Sequence, residues 1–182
     1  MSHPSNTIAF TICSANYLAQ AVALGDSLLV HNPNYQFIIG LVDEIDEAHP
    51  IVKSVNYTLI PIKEIGIPHF DAFCAQYNIT ELNTAVKPFY FSYLFEKNKT
   101  VESIVYLDPD IFVYHSFEIL EKQLESNQIV LTPHITKPIS DNKYPTETDF
   151  LNAGIYNLGF IALMRGNESL ALINWWKERL AH

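Results

Sequence analysis

Apolar and polar positions along the chain follow two alternating periods. Residues 7–13, Thr-Ile-Ala-Phe-Thr-Ile-Cys, form a short apolar run without a charge. A run of this length reads as a strand buried on both faces. After the polar turn Ser14-Ala15-Asn16, residues Leu18, Ala21, Val22, Gly25, Leu28 and Leu29 recur at helical spacing. This predicts an amphipathic helix over residues 17–30, which Asn32-Pro33-Asn34 stops. Residues 35–42 predict a second strand with Asp43 at its end. Strand, helix and strand in that order imply a parallel pair joined by a right-handed crossover.

The alternation continues. Residues 54–61 predict a weaker third strand, and Ile67-Pro68-His69 opens a short helix running to residue 77. Thr80 is the expected N-cap of a helix starting at Glu81. Pro88 must kink or restart that helix, because a proline in a helix interior costs about 3 kcal/mol. The aromatic-rich residues 89–95 are expected to pack hard on the sheet. Residues 103–107, 129–132 and 159–164 predict further strands, residues 117–124 and 168–181 predict helices, and residues 133–148 predict a polar, proline-containing loop. No repeat, low-complexity tract or linker interrupts the pattern. The expected fold class is therefore α/β, one domain over residues 1–182, with a mostly parallel central sheet and helices on both faces. Trp175 and Trp176 are adjacent, so on a helix they point about 100° apart. One is expected to be buried and the other to stay at the surface, where self-association follows from exposed apolar area.

Composition narrows the function. The chain has 182 residues, 48% hydrophobic, with a formal net charge of −9. Arg165 and Arg179 are its only arginines, which argues against a nucleic-acid or anionic-membrane surface. Cys13 and Cys74 are the only cysteines and lack metal-binding spacing. A reduced, cytoplasmic setting is the expectation. The polar N-terminus lacks the apolar core of a signal peptide, and no apolar stretch is long enough for a transmembrane segment.

The candidate chemistry lies in Ile-Val-Tyr-Leu-Asp-Pro-Asp-Ile-Phe-Val-Tyr, residues 104–114. Two carboxylates interrupt a strand-like run, although desolvating an unpaired charge costs several kcal/mol. Residues two apart in an extended chain share a side, so Asp108 and Asp110 are expected to converge at a strand end, where Pro109 is tolerated. Paired carboxylates suit a hard divalent cation. The competing reading is an acidic turn between two short strands. Ligands of parallel sheets sit beyond the carboxyl ends of the strands, which places residues 13–17 near the Asp pair. No Gly-x-Gly-x-x-Gly follows the first strand, which argues against a classical dinucleotide site, and no Gly-Lys-Ser/Thr loop occurs, which excludes a P-loop.

Three stretches in order carry a resemblance. These are Thr11-Ile12-Cys13-Ser14-Ala15-Asn16-Tyr17 with its helix, Ala85-Val86-Lys87-Pro88-Phe89 leading into Tyr106-Leu107-Asp108-Pro109-Asp110, and Tyr156-Asn157-Leu158-Gly159-Phe160. Together the chain resembles the N-terminal part of a GT-A glycosyltransferase, nearest to glycosyltransferase family 8 and its glycogenin-like members. The resemblance implies a Rossmann-like GT-A sandwich and transfer of a hexose from a nucleotide-diphosphate sugar, a UDP-hexose, to an unknown glycan, lipid or protein acceptor with retention of configuration. It implies a metal, Mn2+ or Mg2+, on Asp108 and Asp110, and nucleotide contacts from Thr11, Ile12, Cys13, Asn16, Tyr17, Lys87, Leu107, Asp108, Pro109 and Asp110. Asn157 and Gly159 would lie near the reacting sugar. Leu158 stands where the family carries serine, and the family's later Asp-Gln stretch and metal-binding histidine do not occur before His182, so truncation at the C-terminus is expected.

Each role has a plainer alternative: Tyr17 covering a helix start, Lys87 solvated on its helix, Asn157 satisfying a turn, and Asp149 and His134 serving structure. At the level of the whole chain, the alternatives are a non-catalytic nucleotide-sugar or glycan-binding module and a sugar nucleotidyltransferase. The latter would want a Gly-rich, basic loop where Ser14-Ala15-Asn16 stands.

Overall fold

A computed structural model describes residues 6–43, 50–141 and 143–180. The polar N-terminal residues 1–5 and the last expected helical residue, Ala181, lie outside these. The first strand, β1 (Thr7–Cys13), is buried at every position. A 3-10 turn (Ala15–Tyr17) leads into α1 (Leu18–His31), which buries Leu18, Ala21, Leu24, Gly25 and Leu28 against the sheet. β2 (Gln36–Leu41) follows, then a short α2 (Pro50–Lys53) and β3 (Thr58–Pro61). Beyond come α3 (Phe70–Cys74), α4 (Ile79–Ala85), α5 (Lys87–Lys97) and β4 (Ser103–Leu107). The chain ends with α6 (Glu118–Leu124), β5 (Ile129–Pro133), α7 (Glu147–Ala153), β6 (Tyr156–Met164) and α8 (Asn167–Leu180).

The six strands form one sheet in the order β3-β2-β1-β4-β6-β5. β1 to β4 are mutually parallel, and β6 runs antiparallel between β4 and β5. Side chains alternate across it. Ile8, Phe10, Ile12, Ile104 and Tyr106 pack with α4, α5 and α8 on one face. Ala9, Cys13, Val105 and Leu107 pack with α1 and α6 on the other. The chain moves outward from β1 through β2 to β3, then returns to place β4 on the opposite side of β1. This reversal opens a crevice where β1 and β4 end, the usual ligand position in such sheets.

Several local expectations are corrected. Asn78, not Thr80, caps α4: its side chain accepts from the Glu81 amide at 3.0 Å, and the Glu81 carboxylate accepts in return from the Asn78 amide at 3.0 Å. This reciprocal pair satisfies two amides that the helix cannot. Pro88 restarts the helix, with proline in the first turn of α5, where a missing N–H does no harm. The expected loop is found between β5 and α7, but an unexpected helix, α7, capped by Thr146, takes over its last two residues. β6 begins at Tyr156, earlier than residue 159, and its pairing with β5 slips between Leu131 and Thr132. Trp176 is half-buried against the core, while Trp175 is exposed.

Candidate nucleotide-sugar site

A cleft of about 490 Å³ opens at this crevice. Ile12, Cys13, Ser14, Asn16 and Tyr17 form the wall from β1 and its turn, and Asp43 adds the end of β2. Asp108, Pro109 and Asp110 form the wall from β4, and Thr80, Asn83, Thr84 and Lys87 close it from the helices. The Asp pair does share one cleft, but not because the chain stays extended. β4 ends at Leu107, and the Ile111 amide donates to the Asp108 carbonyl at 3.1 Å, closing a turn. The lack of an N–H on Pro109 suits that turn.

Asp108 is the best-anchored acid in the cleft. Its Oδ1 accepts from the Tyr106 hydroxyl at 2.6 Å and from Lys87 Nζ at 3.4 Å. Lys87 also donates to the Leu158 carbonyl at 2.9 Å and lies over the Tyr106 ring at 4.3 Å. Only 4% of the Lys87 side chain is exposed, against 39% for Asp108, so Lys87 is not the solvated helix residue of the plainer reading. Burial pulls its pKa below the usual lysine value, with Asp108 opposing. An ammonium in this setting needs both its partners.

β6 meets β4 here. The Asp108 amide donates to the Gly159 carbonyl at 2.8 Å. A Cβ at Gly159 would lie 2.8 Å from Asp108 Oδ2 and 2.8 Å from Asn157 Oδ1, so a larger residue would push one or both of these side-chain ends aside. Asn157 turns inward on its own strand, accepting from the Gly159 amide at 2.7 Å. Gly159 thus adjoins Asp108, with Asn157 next to it on β6, and neither forms the cleft wall.

Other expected contacts divide. Thr11 and Leu107 are buried in their strands and do not line the cleft. Cys13 lines it, yet burial, aided by the Asp43 charge, pushes its thiol up to about 12. Asn16 Oδ1 accepts from Ser14 Oγ at 2.6 Å, and the Tyr17 ring is 43% exposed. His134 bonds the Gly154 carbonyl at 2.9 Å and stacks on Phe150, Asp149 completes the α7 cap, and neither lines the cleft. Sequence reasoning noted Asp43 only as a strand end and missed Tyr106, Asn83 and Thr84. Asp43 Oδ2 takes the Ala15 amide at 2.5 Å, a tie between residues 28 apart in sequence.

Among the described residues no three His, Cys, Asp or Glu side chains form a metal cage. The donor set still fits a divalent cation. Among the described residues the hydrogen bonds to the Asp108 carboxylate go to Oδ1, Asp110 is exposed, and hard carboxylate oxygens suit Mn2+ or Mg2+ when phosphate oxygens complete the shell. Among the described residues no helix is long and apolar enough to cross a membrane.

No family model matches the chain. It is 25% identical over 173 residues to the uncharacterised Bacillus subtilis protein YfnF, covering 93% of this chain and 56% of that protein. The chain thus spans little more than half of that relative. Among solved structures, the galactosyltransferase LgtC, determined with donor and acceptor sugar analogues, superposes with a TM-score of 0.56 at 18% identity, over 96% of this chain and 64% of LgtC. The 4-diphosphocytidyl-2C-methyl-D-erythritol synthase of Anaerococcus prevotii superposes at 0.50 with 12% identity, over 99% of this chain and 78% of that one. Identities this low speak to architecture alone. The mixed six-stranded sheet, with helices on both faces and its crevice beyond β1 and β4, is the GT-A nucleotide-sugar transferase fold.

Proposed function

We propose that this chain is the donor-binding part of a metal-dependent glycosyltransferase that moves a hexose from a nucleoside-diphosphate sugar, a UDP-hexose, to an acceptor hydroxyl. The observation that carries the reading is the cleft shared by Asp108, Asp110, the buried Lys87 and the β1 turn. In the transfer, the bond from the anomeric carbon to the β-phosphate oxygen breaks, a glycosidic bond to the acceptor oxygen forms, the acceptor hydroxyl gives up its proton to the departing phosphate or to solvent, and the nucleoside diphosphate leaves. A divalent cation would neutralise charge on that leaving group. An acidic chain with few arginines has little else to hold a diphosphate. Asp108 and Asp110 would hold the cation, Lys87 fixes Asp108 and adds one positive charge beneath it, and the half-exposed Tyr17 ring offers a stacking face to the base. Asn157 and Gly159 would lie near the reacting sugar, with Gly159 packed against Asp108 from β6. The exposed Phe112, Tyr114 and Trp175 rings support self-association.

The test is calorimetric titration with UDP, with and without manganese. Binding that strengthens with manganese in the native chain, and loses that dependence in Asp108→Asn/Asp110→Asn, is expected. An unchanged manganese dependence in the double variant would rule the reading out. A nucleotidyltransferase is the second reading, favoured by the superposition on the Anaerococcus synthase. It would release pyrophosphate from a nucleoside triphosphate, and Ser14-Ala15-Asn16 lacks the glycines and basic side chains that would wrap a triphosphate.

A further inference from the structure

The two oxygens of Asp108 meet different neighbours. Oδ1 receives the Tyr106 hydroxyl and the Lys87 ammonium. Oδ2 lies against Gly159, where a Cβ would come within 2.8 Å of it. Tyr106 is the last residue but one of β4, and its hydroxyl reaches Asp108 Oδ1 just past the strand end, where the turn begins. Phe10 packs edge-on against that ring at 5.2 Å and Lys87 covers it at 4.3 Å. The ring is almost wholly buried, so the hydroxyl has a fixed direction. The pairing slip of β6 against β5 lies beside Gly159, and such slips recur beside sites because they re-aim one strand's groups.

Carboxylate torsions are otherwise broad. A free Asp108 would have to be ordered each time a cation and a diphosphate arrived, and that ordering weakens binding. Resting on the reading of the cleft given above, we propose that Tyr106 and Gly159 are positioning residues: Tyr106 holds Oδ1 by its hydroxyl, Gly159 leaves the space Oδ2 occupies, and the carboxylate is thereby set to offer Oδ2 to the cation. The plainer account makes Tyr106 a core aromatic and Gly159 a bend in β6. It predicts only changes in stability.

Tyr106→Phe keeps the ring and removes the hydroxyl, and Gly159→Ala acts on the other oxygen from the other strand. The measurement is the manganese concentration needed for half-maximal UDP binding, together with UDP affinity without metal. Outer partners of metal ligands commonly contribute about 10- to 100-fold in metal affinity. Each variant is expected to need roughly 10-fold more manganese while its metal-free UDP affinity is unchanged. The double variant is expected to be less than additive, since both act through one carboxylate. Native manganese dependence in both single variants would overturn the positioning roles and leave the cleft reading intact. So would equal losses with and without metal. Absence of UDP binding by the native chain, with or without manganese, would overturn both. If Tyr106→Phe fails to fold, Gly159→Ala decides the matter from β6.

Discussion

Cys13 lines a polar cleft yet is built to be chemically quiet. Burial, and the Asp43 charge after it, raise the thiol to about 12, and the thiolate is the reactive form. Cys74 is half-exposed, with its thiol raised by burial and then by Asp71. Iodoacetamide at pH 8 followed by mass spectrometry is expected to label Cys74 first and Cys13 only on unfolding. Prompt labelling of Cys13 would contradict its burial. The Asp pair was legible at this scale because two charges in an apolar run demand a reason. Tyr106 was not, because its hydroxyl meets Asp108 only once β4 and its turn are formed. Lys87 could be named from its motif, but its burial between Asp108 and Leu158 depends on β6, some 70 residues later.

Among elements, periodicity located nearly every strand and helix. At the starts of α4 and α7, which it misplaced or missed, capping chemistry had decided. Asn78 and Thr146 each answer an acid three residues on, a signature that a reading led by apolar spacing passes over. The close approach of α5 to β2 is a feature no spacing reveals. A Cβ at Gly40 would meet the Tyr90 ring at 2.6 Å. That ring is fully buried, and its hydroxyl donates to the Ile60 carbonyl at 2.9 Å, so it cannot swing aside. Overpacking of this kind costs about 1–3 kcal/mol. Gly40→Ala is expected to lower the urea midpoint by a corresponding amount with an unchanged slope. An unchanged midpoint would mean that α5 yields freely.

For the molecule as a whole, stability is expected to fall in alkali. Cys13, Tyr90 and Tyr106 are buried with acid constants raised chiefly by desolvation. The unfolded chain therefore releases their protons first, near the ordinary thiol value of 9.0 and phenol value of 10.0. Fewer protons on the unfolded state mean stability falls as pH rises, by up to about 1.4 kcal/mol per pH unit for each such group. Lys87 has the opposite sign: its folded pKa is lowered, so its part rises with pH just below 10.5. One group against three leaves the net trend downward. Melting temperatures from pH 7 to 11 are expected to hold until about 9 and then drop. A flat profile to pH 11 would mean that these groups ionise as readily folded as unfolded.

The amino-acid sequence by itself determined the class of fold, the break at Pro88 and the candidate acids. These follow from local rules: apolar period, proline's missing donor, and the cost of burying unpaired charge. Tertiary structure alone decided which groups face the cleft. It set Thr11 and Leu107 into the buried strand interiors and drew Asp43, Asn83 and Thr84 to the wall. It also placed antiparallel β6 between β4 and β5, so that Gly159 lies against Asp108. Strand order and direction arise from packing between distant segments, and a sequence read locally carries the period of each strand but not its neighbour.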